Sequence, residues 1–393
     1  MNRKGVCYDV GRVMMGGNWR PKFDPKIVRE ELGIIKNDLH CTAVRICGLD
    51  IKRLTLASEY ALDQDLEVWF SPEMWDRTQD ETLEYITAAA REAEILRKHW
   101  PDKIVFSLGS ELTLFMKGIV EGENFFERMN MPSFWEGIKA GKHNQSLNAF
   151  LDKANYAVRR EFAGPVTYFS VPLETVDWSR LDFVGVDMYR DQRIRDAYGD
   201  MVKRYHSHRK PVVIGEFGCC TYQGAEKLGG NGFMIMFGMM ADYLHPQAQL
   251  PKLVSDFLKV IPRVDGHYVR DEGLQARELT DQLGVLDSAG VDGAFVFTFV
   301  SPNSTYNDDP GFDSDMGSFS LVKSYPEKET VEEFARQATV QAKQFSGAEL
   351  DPGVLAKFAE NVGRHGQAYA DMPWDPKESF RAVAEYYGNR SST

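Results

Sequence analysis

No stretch of the chain approaches the ~20 consecutive apolar residues that cross a bilayer, and none of its basic residues gather into a stripe. With a net charge of −12, the surface repels phosphate backbones. Membrane insertion and nucleic-acid binding are therefore not expected. Cysteine is sparse: the five are Cys7, Cys41, Cys47, Cys219 and Cys220, an odd number without zinc-ligand spacing. They read as reduced thiols of a cytoplasmic protein, and the N-terminal MNRKGVCYDVG lacks the apolar run of a secretory signal. Among eight histidines the one close pair, His206 and His208, precedes a β run and so falls on the wrong side for a metal site. The first β run, GVCYDVG, does not become G-x-G-x-x-G, which excludes a dinucleotide fold read from that signature. The acidic stretch YNDDPGFDSD (306–315) lacks the Gly and Glu of a calcium loop and reads as solvated. No metal and no cofactor are expected.

What the chain does have is an ordinary globular composition, 43% hydrophobic and 26% charged, with a generous 12% of aromatics. Short runs rich in Val, Ile, Phe and Tyr alternate with longer segments of helical periodicity, the pattern of repeated βα units around a parallel sheet. Eight such runs occur, at 5–11, 42–47, 66–71, 104–109, 166–171, 183–188, 211–215 and 293–299. Amphipathic segments at 51–64, 82–99 and 145–162 separate some of them. Eight runs favour an α/β architecture closed as a (β/α)₈ barrel. Two connections, 110–144 and 219–249, are far longer than a usual loop, and both follow strand C-termini. The connection 172–182 is too short for a full helix. The segment 328–345 is expected to supply the last barrel helix, giving a catalytic barrel over 1–345. A helical extension over 346–393 then packs on its wall and ends in a frayed GNRSST.

Chemistry is expected at the C-terminal ends of barrel strands, because apolar side chains fill the interior and a strand-end carboxylate faces the open mouth. Glu111 closes IVFSLGSE after the fourth run, and Glu216 closes PVVIGEF after the seventh. A single glutamate at a strand end is more often a surface residue. Two across one mouth could flank a glycosidic bond, one protonating the leaving oxygen and the other meeting the anomeric carbon. Asp9, Glu73, Trp75 and Asp187 end other runs and are assigned to substrate hydroxyls and sugar faces. Trp135, next to Phe134 in the long fourth connection, is a candidate aromatic cover.

Glutamates ending the fourth and seventh runs resemble the clan A glycoside hydrolases. The resemblance covers about residues 5 to 325 through short strand-end motifs. It implies Glu111 as acid/base and Glu216 as nucleophile, with a double displacement that retains anomeric configuration. Arg45 in TAVRIC resembles the clan's second-strand Arg and Tyr189 in DMYRD its sixth-strand Tyr, both implied to support the nucleophile. Two positions depart from the pattern. Ser110 stands where the clan has Asn, and Phe299 where many members carry an eighth-strand Trp. Both are substrate-reading positions, so the sugar stays open while the carboxylates remain. The implied partner is an oligosaccharide or glycoside. A transglycosidase on the same site, or a glycan-binding barrel without catalysis, are the alternatives.

Overall fold

The computed structural model describes residues 1–130, 132–236, 268–345 and 349–389, and within them all eight β runs become strands. They are β1 (Arg3–Asp9), β2 (Ala43–Gly48), β3 (Glu67–Pro72), β4 (Ile104–Ser110), β5 (Val166–Ser170), β6 (Val184–Asp187), β7 (Val212–Phe217) and β8 (Gly293–Val296). Each pairs in parallel with its neighbours in chain order, and β1 pairs with both β2 and β8, closing the (β/α)₈ barrel. Nearly every strand residue is buried, because side chains fill the interior and helices cover the outside. The outer layer includes α1 (Pro25–Asn37), α2 (Ile51–Asp63), α3 (Gln79–His99), α4 (Lys142–Glu161), α5 (Tyr198–Arg204) and α6 (Glu272–Ser288). Their starts follow from local chemistry. Asp24 and Asp50 cap α1 and α2, and Thr78 and Glu81 form a reciprocal capping box on α3. Between β5 and β6 only the 3₁₀ turn Trp178–Arg180 fits, as the short connection predicts. Among the described residues no helix is long and apolar enough to cross a membrane.

The lower half of the barrel is solid. Trp69 meets Phe183, Phe295 and Phe169 at centroid distances of 5.0, 5.3 and 5.8 Å. Glycine makes room for this plug: a Cβ on Gly5 would collide with Phe295, and one on Gly215 with Phe169. Above the rings the strand C-termini carry buried charged groups, among them Asp9, Arg45, Asp187 and Glu216.

The C-terminal third differs from expectation in three ways. The helix α7 (Lys328–Phe345) does not close the barrel. It lies against the small strand Gly17–Asn18 and sends Phe334 and Gln337 to the rim of the mouth. Closure falls to α8 (Glu378–Asn389), which packs along α6. Tyr387 there donates its hydroxyl to the Gly5 carbonyl at 3.0 Å, and Lys4 donates to the Tyr387 carbonyl at 2.7 Å. The expected boundary after residue 345 falls at 346–348, which lies outside the described residues, as do 390–393 of the tail. Residues 374–389 are part of the barrel wall, since Trp374, Val383 and Tyr387 belong to its main apolar core. Finally, the acidic 306–315 loop is only partly solvated. Asp313 and Asp315 are buried against Arg270 at 2.9 and 2.7 Å, and Lys377 reaches Asp315 at 2.9 Å. Basic partners more than 40 residues away in sequence draw these acids inward.

Closure by α8 has a stability consequence. Tyr387→Ala removes a fully buried ring and its bond to β1, and should cost about 3–5 kcal/mol, as large-to-small core changes do. Trp135→Ala, at a ring 47% exposed, should stay within about 0.5 kcal/mol. Equilibrium urea unfolding of both variants measures the contrast.

Candidate active site

Both strand-end glutamates follow an irregularity that re-aims the backbone. The β4–β5 register slips by one residue between Ser107 and Ser110, and the β6–β7 register slips at Gly215, just before Glu216. Such bulges turn a side chain out of the regular alternation, and they cluster beside active sites. Glu111 itself takes the left-handed conformation (φ 52°), anchored by its amide donating to the Phe169 carbonyl at 2.8 Å. A non-glycine residue there is disfavoured by ~1 kcal/mol or more and is held only by its surroundings. The two carboxylates converge as a result: oxygens of Glu111, Asp187 and Glu216 all lie within 4.8 Å of one another.

Two guanidinium groups divide these acids unequally. Arg12 donates to Glu73 at 2.6 and 2.9 Å and to Glu216 at 2.8 Å. Arg45, fully buried over the Phe169 ring at 3.8 Å, pairs with Asp187 at 3.0 Å, Glu73 at 3.2 Å and Glu216 at 3.4 Å. Tyr189 donates its hydroxyl to the other Glu216 oxygen at 3.0 Å. Glu216 is thus oriented by hydrogen bonds from Arg12 and Tyr189, with the Arg45 guanidinium alongside. For Glu73, burial works to raise the pKa, but Arg12 and Arg45 hold it below the usual carboxylate range.

Glu111 has the opposite surroundings. Burial, and then the charges of Asp187, Glu216 and Glu174, push its pKa well above the ordinary value, with Arg45 opposing only in part. Asp187 is pushed up to about 7, by burial against the pull of Arg45, and it accepts a 2.5 Å hydrogen bond from Ser110. Beneath Glu111, burial pushes Glu174 up to about 7, while the Tyr168 hydroxyl and the Thr113 and Val171 amides stabilise its charged form. Of the facing pair, Glu111 is the one whose surroundings favour keeping a proton. Asp187 and Glu216 of the carboxylate trio are paired with Arg45, and Glu216 with Arg12 as well.

The mouth encloses a cavity of about 460 Å³. Asp9, Glu73, Trp75, Ser110, Glu111, Tyr189 and Glu216 line it, as the sequence places them. Arg45 and Asp187 do not reach it and act from below. Two sequence placements are corrected. Phe299 points away from the mouth into the barrel wall, edge-on to Trp374 and Phe380, and Phe297 lines the cavity instead. Trp135 packs edge-on against Phe134 at the outer surface and is not among the lining residues. Sequence reasoning also missed Arg12, Trp19 and Glu174. Arg12 alone left a trace, as a charged residue directly after a strand-end Asp-Val-Gly.

No protein-family model matches the chain, and no curated protein does. Solved structures do resemble it. A GH113 β-mannanase from Alicyclobacillus acidocaldarius, in complex with ManMIm, superposes with a TM-score of 0.50 at 14% identity, over 81% of this chain and 92% of that one. A second GH113 β-1,4-mannanase complex gives 0.47 at 14% identity, over 81% and 94%. A GH5 xyloglucan-specific endo-β-1,4-glucanase from a metagenomic library, in complex with cellotriose, gives 0.46 at 12% identity, over 86% and 97%. What the first of these shares with the chain is the (β/α)₈ fold.

The raised pKa of Glu174 has a measurable consequence. The native state keeps a proton that the unfolded chain has already lost, so this group makes stability fall as pH rises from about 4.5 to about 7. Glu174→Gln should flatten that decline. Urea unfolding of wild type and variant at pH 4.5, 6 and 7.5 reads it, and parallel curves would refute the assignment.

Proposed function

We propose that the chain is a retaining glycoside hydrolase acting on an O-glycosidic bond, with Glu216 as nucleophile and Glu111 as acid/base. The observation that carries this reading is the close, electrostatically unequal pair. An oxygen of Glu111 and one of Glu216 within 4.8 Å of each other accord with the ~5–5.5 Å carboxyl spacing of double displacement. Glu216, oriented by Arg12, Arg45 and Tyr189, attacks the anomeric carbon. Glu111, kept protonated by burial and neighbouring acids, gives its proton to the departing oxygen. Its resulting carboxylate then takes a proton from water, and the second displacement restores the starting configuration.

The fold shared with a β-mannanase supports the reaction class without naming the sugar. Asp9 and Trp75 stand on the cavity wall as substrate-binding groups. Ser110 is the departure that matters for the sugar, because its hydroxyl is committed to Asp187. The reading extends to a cytoplasmic enzyme without cofactor, supported by the five free, buried thiols.

Glu216→Ala should lower kcat by roughly four orders of magnitude or more, as loss of a nucleophile does. Azide, filling the vacated space, should restore part of the turnover of an activated aryl glycoside and give a glycosyl azide of inverted configuration. Wild-type hydrolysis, followed by proton NMR, should release the sugar first in its original anomeric form. An inverted first product, or full activity in Glu216→Ala, would sink the assignment.

A further inference from the structure

The mouth has two chemically distinct sides. On one, Asp9, Arg12, Glu73, Tyr189 and Glu216 bring charged and hydroxyl groups to the cavity, beside the rings of Trp19, Trp75 and Phe297 that Arg12 lies over. The segment that carries the acid makes the other. From 110–130 the lining side chains are Ser110, Glu111, Leu114, Phe115, Phe125, Phe126 and Met129, so beyond the acid and its neighbour this wall is hydrocarbon. Its rings are also not arranged as a sugar platform. Trp75 stacks on Phe115 at 4.3 Å and Phe115 on Phe125 at 5.2 Å, both within 15° of parallel, while Phe126 meets Phe125 edge-on. Phe115, sandwiched between Trp75 and Phe125, has no face left to stack on a pyranose, and beyond Glu111 none of the segment's lining side chains is polar. A hydrocarbon occupant suits this wall.

Position decides what the wall touches. The oxygen that Glu111 protonates joins the anomeric carbon to the leaving group, and Leu114 and Phe115 lie three and four residues beyond that acid on the same turn of chain. Resting on the hydrolase reading above, we propose that the substrate is a glycoside with an apolar aglycone, alkyl or aryl, seated against Leu114, Phe115, Phe125, Phe126 and Met129. In the step itself the bond from the anomeric carbon to the aglycone oxygen breaks. Its electron pair stays on that oxygen, which takes the Glu111 proton, and the sugar passes to Glu216. Water then supplies hydroxide to the anomeric carbon and a proton back to Glu111, releasing a free sugar and an alcohol or phenol.

Methyl and n-octyl glycosides of glucose, galactose and mannose, in both anomers and below micelle-forming concentration, test the proposal with wild-type protein. Methanol and octanol are leaving groups of nearly equal basicity, so their difference reads contact with the wall. For whichever sugar is cleaved, kcat/KM should rise roughly tenfold or more from methyl to n-octyl, well below the ceiling for burying every added methylene. In Phe125→Ala the octyl-to-methyl ratio should shrink severalfold. A flat series, or cello- and manno-oligosaccharides cleaved faster than the octyl glycosides, overturns the apolar aglycone and leaves the hydrolase reading standing. If no glycoside turns over, the hydrolase reading fails. Calorimetric titration of the same pairs then decides the wall, tighter binding of octyl supporting it and equal binding refuting it.

Discussion

A guanidinium without access to water lies just beneath the barrel mouth, and the site is organised around it. Arg45 is fully buried, and an unpaired charge there would be prohibitively unfavourable. Asp187, Glu73 and Glu216 close around it, and the Phe169 ring lies beneath it. Arg12 adds a second cation from the β1 end and serves Glu73 and Glu216. The acids outnumber the two cations, and the cations are shared unequally among them. Glu216 receives both guanidinium groups and a tyrosine hydroxyl. Glu111 receives neither guanidinium as a direct partner. The contrast between the surroundings of Glu111 and Glu216 is therefore a property of the whole cluster.

The aromatic plug and the charged layer are one construction. Phe169 belongs to the ring cluster around Trp69, supports Arg45 from below, and lends its carbonyl to the Glu111 amide. Gly215 allows this crowding, since a Cβ there would collide with Phe169 and with the Asp187 carboxylate. The same glycine is the extra residue of the β7 irregularity that presents Glu216. Packing and chemistry meet at a single backbone position.

The β strands are legible in the sequence because both of their faces are buried, so each is a continuous apolar run that no amphipathic helix imitates. Glu111, Glu216 and Tyr189 are legible for a related reason: they are polar residues at run ends, where the apolar rule stops. The losses have equally local causes. Phe299 lies two residues beyond Phe297, but β8 ends at Val296, and past that point alternation no longer predicts a side chain's direction. Arg12 sits in a tight connection whose path back over the mouth depends on Glu73 and Glu216, 61 and 204 residues away. Periodicity points to 328–345 as the last barrel helix and leaves 378–389 in the extension, whereas it is α8 that meets α6. That choice rests on contacts such as Lys4 with Tyr387, 383 residues apart.

The apolar wall and the acid's proton are two effects of one lining. Burial is the largest cause raising the Glu111 pKa, and Leu114 and Phe115 stand beside it on the chain. In the proposed cycle an apolar aglycone on that wall excludes further water, so the acid stays protonated until the bond breaks. Departure of the aglycone reverses this condition. Water fills the hydrocarbon pocket, where the wall offers it few hydrogen-bonding partners, and the carboxylate of Glu111 is the strongest acceptor within reach. A polar sugar in the same place would keep its hydroxyls hydrated and carry water to the acid in the ground state. An occupant that is itself apolar links protonation to substrate binding and deprotonation to product release, and needs no moving part to do so.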